Sequence, residues 1–242
     1  MTALPAAAPF DSPDHLFEPS WGGVRALAFI ETRPGDLQPT LRIVDDVGRD
    51  LTSFVPELQS LAGRLDGATV VFDGELVVVN RVGRGDRLAL ANRLRGKPGA
   101  PVAYLAFDLL YVDGRPLFGQ PLTRRRDLLR KTLRAGDDAL AVPAIVGEGR
   151  ALYEATVQAG IGGVMGRERR SPYLPGVRSR LWRYVAPGDV TSGGDGTADE
   201  PDAQAEPGAQ AEPREADAGD EATRAPVLSL IRRLPLPFDE DD

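Results

Sequence analysis

The sequence predicts an α+β fold with mainly antiparallel sheets flanked by helices, and three observations predict it. Apolar stretches of strand length alternate with helical periods from Ser20 onward. Many strands are followed at once by a partner across a tight turn. Helices fall between them without the regular rhythm that builds a parallel sheet.

Taken in order, Arg25 to Ile30 and Leu41 to Val44 read as a strand pair joined by the turn Pro34 to Asp36. Phe54, Leu58, Leu61 and Leu65 recur at helical spacing, which predicts an amphipathic helix over 54–65. Val70 to Phe72 and Leu76 to Val79 flank Asp73-Gly74-Glu75. Val102 to Val112 is a long buried-strand pattern that ends in the turn Asp113-Gly114. Leu122, Leu128, Leu129 and Leu133 predict a second helix with Thr123 as its cap. A strand at Leu140 to Ile145, a helix over 149–159 closed by Gly160, and strands near 163–168 and 180–185 complete the domain.

The expected organisation is a flexible N-terminus over 1–15, a folded domain over 16–186, a disordered acidic linker over 187–226 and a short apolar peptide with an acidic end over 227–242. The linker is mostly Gly, Pro, Ala, Asp and Glu with almost nothing large and apolar, and the pentapeptide Ala-Gln-Ala-Glu-Pro occurs in it twice. Such a stretch buries too little apolar surface to offset its ordering entropy. Charge divides the same way: residues 190–242 hold 14 acids and 4 arginines, so the rest of the chain is mildly basic although the whole carries −7.

Composition excludes several chemistries. With no cysteine and a single histidine, His15, a Cys/His zinc site and Cys or Ser-His-Asp nucleophilic chemistry are effectively excluded, and cytoplasmic localisation is expected. No apolar run approaches the ~20 residues that span a bilayer, so no membrane partner is expected.

Five collinear stretches carry more specific information: Glu18-Pro-Ser-Trp-Gly-Gly-Val-Arg25, Gly48-Arg-Asp-Leu-Thr52, Phe72-Asp-Gly-Glu-Leu76, Ala106-Phe-Asp-Leu-Leu-Tyr-Val-Asp-Gly114, and Ser171-Pro-Tyr-Leu-Pro-Gly176 with Arg178, Arg180 and Trp182. Together they resemble the adenylation domain of ATP-dependent DNA ligases of the bacterial repair type, over roughly residues 16–186. The resemblance implies that family's nucleotidyltransferase fold, and no OB-fold domain is expected after it in this sequence. It implies a pocket for ATP with Mg²⁺, in which a lysine attacks the α-phosphate.

Here the lysine position is Ser20, and the aspartate two residues on is Gly22. A phosphate-contacting arginine is replaced within Asp45-Asp46-Val47-Gly48. The segment that carries a metal-associated glutamate reads Gly162-Gly163-Val164-Met165-Gly166-Arg167, and two triphosphate-binding lysines are lost in Tyr184-Val185-Ala186. The pocket remnants that the resemblance implies are Glu18, Trp21, Arg25 on the ribose side, Glu75 for ribose and metal, Phe107 for adenine stacking, and Arg167. Glu75 equally reads as a turn carboxylate and Phe107 as a core residue.

The expectation is a catalytically inactive accessory in DNA repair or replication that uses no cofactor, with ATP and Mg²⁺ relevant only to residual activity. An active nucleotidyltransferase with an atypical nucleophile and a non-catalytic nucleotide sensor are the alternatives. Arg169, Arg170, Arg178, Arg180 and Arg183, and a second group at Arg124 to Arg126, Arg130 and Lys131, read either as DNA-phosphate contacts or as solvated faces. Arg233-Leu-Pro-Leu-Pro-Phe238 is similar to the peptide by which bacterial repair proteins dock on the sliding clamp. Leu234, Leu236 and Phe238 would be its anchors, for the clamp or for another repair protein.

Overall fold

The computed structural model describes residues 1–31, 39–65 and 69–188. In chain order its strands are β1 (Thr2–Pro5), β2 (Ser12–Pro19), β3 (Val24–Glu31), β4 (Thr40–Asp45), β5 (Thr69–Val77), β6 (Ala103–Val112), β7 (Arg115–Pro116), β8 (Ala139–Ala141), β9 (Ile145–Gly147), β10 (Val164–Glu168) and β11 (Arg178–Val185). The α-helices are α1 (Arg87–Arg93), α2 (Leu122–Thr132) and α3 (Gly149–Ala159).

One sheet runs β4-β3-β5-β6-β7, with β8 parallel to β6; the other runs β1-β11-β10-β2-β9. Apart from β6–β8 and β1–β11, the ladders are antiparallel. Side chains alternate across a strand, so each face of the first sheet meets a different core. Ala26, Ala28, Ile30, Phe72, Tyr104 and Ala106 pack with the 3₁₀ segment, α1 and the C-terminal half of α2. On the opposite face, Val77, Leu105 and Phe107 meet Trp182 of the second sheet. A cleft opens at this junction between the sheets, and α3 covers the far side of the second sheet through β2 and β10.

Several expectations change. Residues 1–15 are not a flexible arm: β1 pairs with β11 and β2 with β10, and Met1 is buried. An Ala/Pro-rich segment has no apolar period of its own, and here a distant partner strand decides its conformation. Over 54–65 the chain forms 3₁₀ helix, Thr52–Phe54 and Pro56–Arg64. Leu58 and Leu61, three apart, both point into the core at three residues per turn. Thr123 lies inside α2 and caps nothing; Pro121 precedes the helix. The strand expected at 140–145 is divided between β8 and β9, which belong to different sheets. The turn at 34–36, and everything from Asp189 on, lies outside the described residues.

Candidate functional site

A cleft of about 640 Å³ runs between the sheets, lined at one end by Ser20, Gly22, Gly23, Glu75 and Arg87 and along its length by Arg25, Phe107, Met165, Arg167, Trp182 and Tyr184. Register explains the assembly. Glu18 lies opposite Met165 and Arg167 opposite Trp182, so Glu18, Arg167, Trp182 and Tyr184 share the cleft face of the second sheet. Arg25 lies opposite Glu75 on the facing sheet.

The charges in this cleft are already engaged. Glu18 is 2% exposed and is ion-paired to both Arg126 and Arg167. Arg126 also donates to the carbonyls of Phe107 (3.0 Å) and Val142. The Arg167 guanidinium lies 4.1 Å from the centre of the Phe107 ring and 4.7 Å from that of Trp182, a cation held between two aromatic faces. Phe107 is only 7% exposed, with the Arg167 guanidinium over its ring.

Arg25 donates from Nε to Asp73 (2.9 Å) and from Nη2 to the Tyr173 hydroxyl (3.1 Å), while Tyr173 donates to Asp73 (2.8 Å). Behind this network, Arg125 and Asp108 form a fully buried pair with two 2.8 Å bonds. It ties α2 to β6, and Arg125 also reaches the Ser171 carbonyl at 2.9 Å.

At the Ser20 end the backbone has closed in. Ser20 N–H donates to the Gly163 carbonyl (2.9 Å), and a Cβ at Gly162 would stand 2.2 Å from the Ser20 carbonyl oxygen. A side chain at 162 therefore requires the backbone to move. A Cβ at Gly22 would meet the Arg87 guanidinium at 2.2 Å, so Arg87 stands where a side chain at position 22 would begin. Glu75 accepts from Gly23 N–H. Burial pushes its carboxyl up to about 7, against the opposing pulls of that amide and of Arg87.

Of the expected pocket residues, Glu18, Ser20, Gly22, Arg25, Glu75, Phe107 and Arg167 meet in this cleft. Glu75 is on a central strand, not in a turn. Trp21 does not line the cleft: it is buried, and its indole donates to the Gly83 carbonyl (3.0 Å), pinning the turn that leads into α1. Asp45 also lies elsewhere. Its carboxylate accepts from the Val47 and Arg49 amides (3.2 and 2.7 Å) and closes the hairpin after β4.

Among the arginines, Arg170, Arg178 and Arg180 are exposed, whereas Arg169 and Arg183 are half-buried and Arg169 donates to the Pro13 carbonyl. Arg125 and Arg126 are interior ion-pair residues, which removes them from the second DNA-contact group. Leu234, Leu236 and Phe238 lie outside the described residues. Sequence reasoning missed Arg87 because it missed α1. The signal was Asp86 ahead of Arg-Leu-Ala-Leu-Ala, and Asp86 does cap the helix by accepting from Ala89 N–H (2.8 Å).

The family model for the ATP dependent DNA ligase domain matches residues 6–184. The chain belongs to this family. It is 36% identical over 167 residues to the multifunctional non-homologous end joining DNA repair protein LigD of Mycobacterium tuberculosis, covering 69% of this chain and 21% of that protein. It is 26% identical over 184 residues to the SPbeta prophage-derived DNA ligase-like protein LigB of Bacillus subtilis, covering 76% and 65%. The crystal structure of the ligase domain of M. tuberculosis LigD superposes with a TM-score of 0.61 at 29% identity, over 76% of this chain and 57% of that one. The chain thus spans about a fifth of the length of its LigD relatives.

Family membership implies ATP and Mg²⁺, and the residues present do not fit them. The Phe107 ring is covered by Arg167, Glu18 is held by two arginines, and position 162 has no space for a carboxylate.

Proposed function

We propose that this chain is a ligase-type adenylation domain that no longer transfers nucleotide and acts in the cytoplasm as a non-catalytic accessory in DNA repair or replication. One observation carries the reading: the chain's own Arg167 occupies the stacking position on Phe107 and is locked there by Glu18. Loss of a nucleophile at position 20 alone would leave a nucleotide-binding domain. A filled aromatic slot removes the base as well, which argues against both the sensor and the atypical-nucleophile readings.

The repair context rests on the LigD relatives, which are named for non-homologous end joining. DNA is the proposed partner, met through the exposed Arg170, Arg178 and Arg180. The C-terminal peptide with Leu234, Leu236 and Phe238 is a proposed docking segment for a sliding clamp or another repair protein.

The test is a nicked duplex carrying a 5′ phosphate, incubated with the chain, ATP and Mg²⁺, and read both by mobility shift and on a denaturing gel. A shift that weakens steeply with salt, without sealing, is expected. Sealing of the nick would refute the reading.

A further inference from the structure

The face of the first sheet that meets the second sheet at Val77, Leu105 and Phe107 continues beyond that contact. Register carries an apolar row across this continuation: Phe29 lies opposite Val71 and Val71 opposite Tyr111, and all three are half-buried. The row is the floor of a groove of about 1040 Å³, larger than the cleft itself. Its wall beyond β6 is the stacked pair Phe118 and Tyr173, with ring centres 5.8 Å apart. Three of the six exposed large apolar side chains among the described residues stand at its margin: Phe118 in the wall, Val47 next to Asp46, and Val177 next to Gly176. Exposed apolar side chains scattered singly are ordinary, whereas a set gathered around an apolar groove marks a surface that another molecule covers.

Charge distinguishes the occupant. At the β4 end the lining includes Asp45, Asp46 and Asp50, from the end of β4 and the turn after it. Asp45 is consumed by the turn amides and by Arg49. Asp46 and Asp50 are exposed, and bonds from the Thr52 hydroxyl and amide hold the Asp50 carboxyl below its ordinary range, so it stays ionised. Of the two arginines in the lining, Arg25 is bound to Asp73, and Arg42 lies over the Phe29 ring at 5.2 Å. Two carboxylates outside any ion pair among the described residues thus stand against one cation. They repel a phosphate backbone and attract a cationic chain.

The neighbouring sheet edge is already occupied by the chain itself. Ile43 N–H donates to the Thr52 hydroxyl (2.9 Å), and its carbonyl accepts from Leu51 N–H (2.8 Å). That stretch of β4 has no free ladder for an added strand, so a visitor lies on the face. We propose that this groove receives a segment of a partner protein in which an apolar or aromatic side chain stands beside arginine or lysine, the apolar group seated on Phe29, Val71 and Tyr111 and the cation at Asp46 and Asp50. The aromatic floor supplies the affinity, and the two acids set orientation and encounter rate. The inference goes beyond the accessory reading and does not depend on it. Among the described residues only Thr2 and Arg25 border both this groove and the cleft, and a chain that sealed nicks would keep the groove.

The test selects phage-displayed random linear peptides on the immobilised full chain, then titrates the enriched sequences, synthesised with a fluorophore, against the free chain by anisotropy. Enriched peptides should pair an apolar or aromatic residue with arginine or lysine. Methyl NMR spectra of the unsubstituted chain should shift at Leu27, Val71 and Leu110, which line the groove, and stay fixed at Val78 and Leu90 in the other core. Asp46→Asn with Asp50→Asn, which keeps an oxygen for Thr52, should weaken binding about tenfold at low salt and flatten its salt dependence. Tyr111→Ala should weaken it about thirtyfold. No enrichment, enriched peptides without a basic residue, shifts that avoid the groove, or affinity unchanged in the paired Asn variant would each overturn the proposal. So would displacement of the peptide by nicked duplex DNA, which would make the groove a nucleic-acid surface. A dimer in sedimentation that the peptide dissociates would overturn it too, by making the groove a contact between copies of the chain.

Discussion

Glu75→Gln gives the most quantitative test of the cleft as described. In the folded chain the Glu75 carboxyl is raised from its ordinary 4.5 to about 7, first by burial and in spite of the Gly23 amide and Arg87. A carboxyl raised on folding contributes stability that is fully present below pH 4.5. That contribution is lost as the pH rises, because the unfolded chain releases a proton that the folded chain retains. Stability therefore falls by about 1.4 kcal/mol per pH unit across this window, for a total of about 3 kcal/mol above pH 7, to order of magnitude.

Glutamine keeps an oxygen for the Gly23 amide and cannot ionise. The variant should match the wild type near pH 4 and exceed it progressively, by up to about 3 kcal/mol at pH 8. Urea unfolding at four pH values measures the difference and cancels the other titrating groups. A difference that stays flat from pH 5 to 8 would refute the placement of Glu75 in a desolvated wall.

Three further outcomes follow from the same geometry. Asp108→Ala strands the Arg125 guanidinium in the interior and should cost about 3–5 kcal/mol in urea unfolding, while the double change Asp108→Leu, Arg125→Met should cost much less. Gly162→Glu, which restores the residue type found in the family's motif, should lower the melting temperature through about 1–3 kcal/mol of overpacking against the Ser20 carbonyl. Arg167→Ala leaves Glu18 paired with Arg126 and uncovers Phe107, so it should gain saturable ATP binding in calorimetry where the wild type gives no heat.

Much of the fold was legible because two periods dominate it. Val102 to Val112 reads as a buried strand ending in Asp113-Gly114, and the structure builds β6 there with both turn residues at positive φ. The helix over 149–159 ends at Gly160 in the left-handed conformation, as its sequence predicts. What was illegible depends on distant partners. β1 exists because β11 offers it an edge, and nothing local in Thr2–Pro5 encodes that. Arg125 and Arg126 look like members of an exposed basic cluster until α2 is docked, when Asp108 and Glu18 turn them into interior residues.

The site divides in the same manner. Collinear motifs brought Glu18, Arg25, Glu75, Phe107 and Arg167 to one list, and the sheets bring them to one cleft. The sequence alone could not show that Arg167 lies on Phe107, because that contact depends on the packing of β10 in the second sheet against β6 in the first. Nor could spacing place Arg87 against Gly22, since the two are joined only through the turn that Trp21 pins.

The most direct measurement is incubation of the chain with α-labelled ATP and Mg²⁺ followed by denaturing electrophoresis, beside the variant Ser20→Lys, Gly22→Asp and the same variant with Arg167→Ala. The wild type should carry no label, and the first variant should remain unlabelled because the slot on Phe107 is still filled. A covalent label on the wild-type chain would contradict the account at its centre.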